Sequence, residues 1–136
     1  MIKKALIPFA FQSFPVIKDI FHITVIFNTG AAFGILRKHT FLLIMISLFF
    51  ILLLFFLAEK EGTRSKTLHI AYGLIMGGAG SNLFDRIFYG HVIDYLDFRI
   101  WPVFNLSDSC ICIGVGLVLV HSIKEHYREK KDSHHS

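Results

Sequence analysis

The 136-residue chain has little charge and little cysteine for its length. Only 18% of its residues are charged, whereas 54% are hydrophobic and the mean hydropathy is +0.58. A disordered, solvated chain carries far less apolar surface, so the composition excludes disorder. The same composition disfavours a water-soluble globular protein. The length allows one domain, residues 1–136, but not two ordinary domains.

Cysteine and histidine give no sign of a disulfide or a metal site. Cys110 and Cys112 lie two positions apart in an apolar run, which is too close for an ordinary disulfide if that run is helical. We expect both to be core thiols. The eight histidines are scattered without the spacing of metal ligands, so we expect no metal.

The net charge of +4 does not indicate a nucleic-acid partner. Lysine and arginine instead form short clusters at the ends of apolar runs, which is typical of membrane spans. Three runs of almost uncharged residues have the length needed to cross a bilayer, at about 41–58, 67–84 and 105–123. The second and third contain glycines, which let another helix backbone approach closely.

The predicted fold class is an all-α polytopic membrane protein, a small transmembrane helical bundle with a short extramembrane β segment. The basic linker after the first span and the basic tail at 124–136 are expected to be cytoplasmic. The segment at about 19–37 is then on the outer face, with a predicted strand at 22–27 and a glycine-bearing turn after it. Interfacial aromatic residues are expected on the same face: Tyr89, Tyr95 and Trp101.

Polar residues gather at the outer ends of the second and third predicted spans. Asn82, Asp85 and Arg86 have the i, i+3, i+4 spacing that places them on one helical face. Asn105 and Asp108 repeat the i, i+3 spacing at the start of the third span. Ionisable groups near membrane depth are costly and call for a partner or a function.

A further acid, Asp94, lies in the loop expected between these spans, inside an apolar pentapeptide. Two carboxylates held close in a low-dielectric site do not both ionise readily, and such a pair can activate water and protonate a leaving group. The pattern predicts aspartic-peptidase chemistry, but it does not rank Asp85, Asp94 and Asp108.

Structural alternatives exist for each acid. Asp85 can pair with Arg86 and anchor a helix end, and Asp108 can be a helix N-cap or a first-turn acid favoured by the helix dipole. Asp97, three residues after Asp94, is expected to be a solvated loop acid next to Arg99.

Four segments occur in a characteristic order: NTGAAFG at 28–34, GGAGSNLFDR at 77–86, HVIDY at 91–95 and FNLSDS at 104–109. In these segments the chain resembles the bacterial lipoprotein signal peptidases (signal peptidase II). The resemblance implies an aspartic endopeptidase without metal or organic cofactor. Its substrates would be diacylglyceryl-modified prolipoproteins, cut just before the lipid-bearing cysteine.

The resemblance also assigns roles to residues, and it selects Asp94 over Asp85. Asp94 and Asp108 would be the catalytic pair, and Asn105 would orient Asp108 and the substrate. Residues that would shape the site or bind substrate are Asn28, Gly30, Asn82, Asp85 and Arg86. The implied location is the bacterial inner membrane, with several spans and the site facing the periplasm. We expect a monomer whose partners are the prolipoprotein and membrane lipid.

The chain departs from the family pattern at its start and at two small residues. Ser81 and Ser107 stand where the family usually has Gly and Ala. The family's first span is missing, with Lys3 or Lys4 near a lysine that would end it, and we expect a truncated reading frame. The alternative function is a catalytically inactive truncated homologue or a small membrane scaffold. A small ion or proton carrier is less favoured, because the acids gather at one face.

Overall fold

The computed structural model describes residues 2–30, 36, 39–60 and 65–133. Part of the predicted glycine-bearing turn, at 31–34, therefore lies outside the described residues. In chain order the elements are α1 (Ile2–Leu6), a 3₁₀ turn (Ile7–Phe9), β1 (Ser13–Ile17), β2 (Phe21–Asn28), α2 (Thr40–Lys60), α3 (Lys66–Tyr89), β3 (Val92–Asp97) and α4 (Leu106–Ser133).

Two of the three predicted spans coincide with helices that are long and apolar enough to cross a membrane. Among the described residues these stretches are Thr40–Glu59 in α2 and Leu106–Lys131 in α4. The remaining predicted span, the second at 67–84, lies within α3, which is helical but less apolar because small residues replace large ones. Its crossing of the membrane stays a prediction. α4 also continues through most of the predicted tail, as far as Ser133.

Two glycines allow α3 and α4 to pack with their backbones close together. A Cβ atom added at Gly78 would lie 2.5 Å from the Ser107 carbonyl oxygen, and one at Gly114 would lie 2.7 Å from the Ala71 carbonyl oxygen. Neither position has room for a side chain. The predicted role of glycine in helix packing is confirmed at these two positions.

The predicted β segment is a three-stranded antiparallel sheet of order β1-β2-β3. β2 contains the strand predicted at 22–27, and its β-branched and aromatic residues are typical of strands. Asp94 lies opposite Ile26 within β3, so the expectation that it occupies a loop is wrong. The hydrogen bonds of the sheet give Asp94 a fixed backbone position that a loop would not provide.

The sheet joins the helices where α3 ends and α4 begins. Gly90 ends α3 in the left-handed conformation, with φ of 75°, and its N–H bonds to the Arg86 carbonyl. The Thr40 hydroxyl at the start of α2 donates to the Gly90 carbonyl at 3.2 Å. One end of the bundle therefore carries the turn into β3 and the start of α4.

Two side-chain predictions are wrong. Cys112 is exposed, and Cys110 is only half-buried although its Cβ lies 3.4 Å from where a Cβ at Gly78 would stand, so neither thiol is a fully buried core residue. Tyr95 is buried and not interfacial, since β3 is covered on both faces; its hydroxyl accepts a long 3.4 Å bond from the Leu106 N–H.

Replacing Gly78 by Ala tests the close packing of α3 and α4. We expect Gly78→Ala to destabilise the protein by about 1–3 kcal/mol relative to Gly73→Ala, because only the first adds a methyl group to a filled space. Both substitutions replace Gly by Ala within α3, so the gain in helix propensity is the same and cancels when the two variants are compared. Thermal unfolding in detergent measures the difference, and equal melting temperatures would contradict the packing argument.

Candidate active site

Asn105 and Asp108 form a reciprocal cap at the start of α4. The Asn105 Oδ1 accepts the N–H groups of Ser107 at 2.8 Å and Asp108 at 3.2 Å. The Asp108 Oδ2 in turn accepts the Asn105 N–H at 3.0 Å. Asn105 is therefore the N-cap and Asp108 the first-turn acid, where the helix dipole favours a carboxylate. This capping explains the i, i+3 spacing.

Asp94 is brought against this cap by β3. Its carboxylate is almost completely buried and accepts hydrogen bonds from Asn105 Nδ2 at 2.7 Å and Asn28 Nδ2 at 3.0 Å. Asn105 is fully buried and donates to both acids, through its side chain to Asp94 and through its backbone to Asp108. The predicted convergence of acids from two segments is confirmed for this pair.

Burial raises the pKa of Asp94 to about 6. The hydrogen bonds from Asn28 and Asn105 stabilise the charged form and limit this rise, the nearby Asp108 charge adds to it, and the Lys3 ammonium opposes it. A raised pKa means that Asp94 keeps its proton up to a higher pH than an exposed aspartate. Asp94 therefore still carries a proton in about half of the molecules at pH 6, where an exposed aspartate is almost fully ionised.

Asn82 connects α3 to the acid pair. Its Nδ2 donates to Asp108 Oδ1 at 2.7 Å, while its Oδ1 accepts from Asn105 Nδ2 at 3.2 Å. The same Oδ1 accepts from Lys3 Nζ at 3.0 Å. All polar atoms of this buried amide side chain therefore serve the site, and α3 is fixed relative to α4.

Asp85 pairs with Lys3 from the N-terminal helix. The Lys3 Nζ lies 2.7 Å from Asp85 Oδ2, and both side chains are largely buried. Asp85 also accepts the Ile93 N–H at 3.3 Å, next to Asp94 in β3. The alternative pairing of Asp85 with Arg86 is wrong, because adjacent residues on a helix do not face each other.

Arg86 instead reaches the turn after β2. It donates to the Gly30 carbonyl at 3.1 Å, and the Gly30 N–H bonds to Asn28 Oδ1 at 3.0 Å. This Asx-type turn leaves Asn28 Nδ2 directed at Asp94. A single chain of hydrogen bonds and ion pairs therefore includes all the predicted site residues, which are Asn28, Gly30, Asn82, Asp85, Arg86, Asp94, Asn105 and Asp108.

Lys3 is the member of this network that the sequence did not indicate. Its signals were its position next to an apolar run and the match of Lys3 or Lys4 to the lysine near the end of the family's first span, neither of which pointed to Asp85. The structure explains why a lysine stands at position 3, since the Lys3 ammonium neutralises the buried Asp85 carboxylate.

Asp97 lies outside the network and is buried, so the prediction of a solvated acid is wrong. It accepts hydrogen bonds from the Thr24 hydroxyl at 2.7 Å and the Arg99 N–H at 2.8 Å, and it pairs with the Arg99 guanidinium. Burial raises the pKa of Asp97, but these bonds and the Arg99 charge outweigh burial and hold it below its usual value. The predicted proximity of Arg99 is confirmed.

A largely apolar pocket of about 480 Å³ opens beside Asp85 between α3 and α4. Residues that line it include Lys3, Gly77, Phe84, Asp85, Tyr95 and Leu106. An apolar ligand in this pocket would therefore lie next to the polar network.

Comparison with known proteins identifies related sequences. A family model described as "Signal peptidase (SPase) II" matches residues 1–124. The lipoprotein signal peptidase of Halothermothrix orenii is 50% identical over 111 residues, which cover 81% of this chain and 75% of that protein. The lipoprotein signal peptidase of Desulfitobacterium hafniense is 43% identical over 121 residues, covering 88% and 80%.

Solved structures of bacterial membrane enzymes have the same fold. One superposes with a TM-score of 0.87 at 30% sequence identity, covering 92% of this chain and 80% of the other. A second has a TM-score of 0.81 at 30% identity, covering 90% and 83%.

Replacing Lys3 by Met tests its pairing with Asp85. We expect Lys3→Met to destabilise the protein by about 3–5 kcal/mol, because a buried carboxylate loses its cation. The matched control is Lys4→Met at the neighbouring, exposed lysine, with Lys3→Arg as the charge-preserving variant. Thermal unfolding in detergent checks this, and equal effects of the Lys3 and Lys4 changes would refute the role of the ion pair.

Proposed function

Because the chain belongs to the signal peptidase II family, we propose that Asp94 and Asp108 are its catalytic pair and that it is an aspartic endopeptidase. As a family member it is a protease that removes signal peptides from prolipoproteins. The observation that carries the assignment of the pair is the buried Asn105, which donates to Asp94 at 2.7 Å and to Asp108 at 3.0 Å.

The two carboxylates have different environments and therefore different roles. Asp94 is buried and keeps a proton up to about pH 6, so it is the acid that polarises the scissile carbonyl. Asp108 accepts two N–H groups, from Asn82 and from the Asn105 backbone, at the positive end of the α4 dipole. It is the charged partner that accepts a proton from water.

The reaction then follows the general pattern of aspartic peptidases. A water molecule attacks the carbonyl carbon, its proton passes to Asp108, and the Asp94 proton passes to the carbonyl oxygen. The tetrahedral intermediate collapses as the carbon–nitrogen bond breaks. The leaving nitrogen takes the proton from Asp108, and Asp94 recovers its own proton from the intermediate hydroxyl as the carboxyl product forms.

Other members of the network position the pair and the substrate. Asn28 and Asn105 hold the Asp94 carboxylate from two sides, and Arg86 fixes the turn that carries Asn28 through its bond to Gly30. The apolar pocket beside Asp85 suits the apolar part of a membrane-embedded substrate. We assign the substrate as a diacylglyceryl-modified prolipoprotein, cut before the lipid-bearing cysteine.

The orientation of the chain in the membrane follows from the positions of its basic cluster and of the proposed active site. The network joins the end of α3 to the start of α4, whereas the basic cluster at 124–131 lies near the opposite end of α4. By the positive-inside rule the basic end is cytoplasmic. The proposed enzyme therefore has three spans, α2, α3 and α4, in the bacterial inner membrane, and its site faces the periplasm.

Neutralising either aspartate tests the catalytic assignment. We expect Asp94→Asn and Asp108→Asn each to lower the cleavage rate by about 100-fold or more, because each removes one proton-transfer partner. Asp97→Asn is the matched control, since Asp97 lies in the same strand but bonds to Thr24 and Arg99. The measurement is cleavage of a diacylglyceryl-modified prolipoprotein peptide by purified protein in detergent.

Each outcome of this experiment has a clear meaning. Normal cleavage by both variants would overturn the assignment of the pair. Absence of cleavage by the unchanged, folded chain would favour the inactive homologue or scaffold, for which the comparisons give no support.

The pH dependence of cleavage tests which carboxylate holds the proton. Asp94 loses its proton as the pH rises through about 6, so we expect the rate to fall above that pH. Asn28→Ala removes a hydrogen bond that favours the charged form, which raises the Asp94 pKa further. The alkaline limb of the rate profile should therefore move to higher pH in this variant.

The neighbouring exposed residue supplies the control for this shift. Thr29→Ala should leave the limb unchanged. A limb that moves to lower pH in Asn28→Ala, or does not move at all, would contradict Asp94 as the protonated partner.

A further inference from the structure

Exposed apolar side chains gather at the end of the sheet remote from the site. The strand register places His22 opposite Asp97 at this end, whereas Asn28 lies opposite Val92 at the end near Asp94. Four large apolar side chains here are exposed: Ile17 at 52%, Ile20 at 60%, Ile100 at 93% and Trp101 at 60%.

These side chains come from two turns that aromatic contacts bring together. Ile17 ends β1 and Ile20 lies in the turn that follows it, whereas Ile100 and Trp101 lie in the turn after β3. Phe21, next to the first turn, has its ring centroid 4.8 Å from that of Phe98 in the second turn. We refer to the turns at 17–20 and 98–101 together as the sheet tip.

The sheet tip is not explained by the core or by the catalytic network. Single exposed apolar residues are common, but a cluster on one projection marks an interaction surface. Lys18 and Arg99 add two cations, but Asp19 shares the first turn and Asp97 pairs with Arg99. The surface is therefore mainly apolar, with little net charge.

The connection to α4 keeps the sheet tip close to a membrane-crossing helix. Leu106 begins α4, and it follows Trp101 by only five residues, a reach of at most roughly 17 Å. Backbone hydrogen bonds between Leu96 and Phe104 shorten this reach further, because they fold the connection back on β3. Tryptophan beside aliphatic side chains is typical of the boundary between headgroups and acyl chains.

We propose that the sheet tip inserts into the lipid interface of the leaflet in which α4 begins. Ile17, Ile20, Ile100 and Trp101 contact the outer acyl chains there. The short tether to a membrane helix favours lipid over a second copy of the chain as the occupant. Because β3 carries Asp94 only six residues before Ile100 and seven before Trp101, insertion at the tip fixes the tilt of the sheet over the site.

The tryptophan itself provides the probe, since Trp101 is the only tryptophan in the sequence. The full chain is reconstituted into phosphatidylcholine–phosphatidylglycerol vesicles in which the acyl chains carry bromine at shallow or deep positions. We expect blue-shifted Trp101 emission, stronger quenching by shallow than by deep bromine, and little quenching by aqueous acrylamide. Strong acrylamide quenching with no effect of bromine would overturn the proposal.

Control variants separate lipid contact from other causes. Phe41→Trp in a Trp101→Phe background places the probe on an exposed position of the apolar helix α2 and should be quenched by bromolipid. Ile20→Ser with Ile100→Ser should shift the Trp101 emission to the red and weaken bromine quenching, while circular dichroism shows an unchanged fold. Protection of Trp101 that depends on the protein-to-lipid ratio but not on bromine indicates a second copy and overturns the lipid assignment.

The proposal is independent of the assignment of the catalytic pair. Asp94→Asn should give the same quenching as the unchanged chain, because the measurement does not require turnover. Failure of the catalytic assignment and failure of lipid insertion are therefore distinguishable.

Discussion

The hydrogen bonds of Asn105 connect the elements on which the site depends. Its side-chain oxygen caps α4, its side-chain nitrogen reaches Asp94 and Asn82, and its backbone N–H bonds to Asp108. Because the residue is fully buried, each polar atom that lost its partner would cost free energy with no water to replace it. One amide thus fixes the start of α4, β3 and α3 in a single arrangement, and the distance between the two carboxylates depends on it.

Burial makes the charges in the site dependent on one another. Asp85 would be costly inside the protein without the Lys3 ammonium, and the same ammonium opposes the rise of the Asp94 pKa. Lys3 therefore serves stability and the protonation state of Asp94 together. Asp97 shows the opposite case, because Thr24 and Arg99 satisfy it fully and lower its pKa, so it keeps no proton for catalysis.

The helices and the sheet contribute different forms of rigidity to the site. α3 and α4 approach closely only because Gly78 and Gly114 have no side chains, and this places Asn82 beside Asp108. The sheet adds Asp94 from outside the bundle, held by pairing with β2. The site therefore lies where the helices meet the sheet, with an apolar pocket next to the buried Asp85 carboxylate.

The sequence by itself determined the apolar helices, the strand at 22–27 and which polar residues gather near the ends of α3 and α4, because apolar runs, local alternation and helical spacing are local properties. The choice of Asp94 over Asp85 came from the resemblance of four segments to a known family. Only the tertiary structure decided that Asp94 lies in a strand, that Asp85 pairs with Lys3 and not Arg86, and that Asp97 is buried. Spacing along the chain predicts contacts only between residues within a turn or two of the same helix. Lys3 and Asp85 are separated by 82 positions, so their contact depends on how the elements pack against each other.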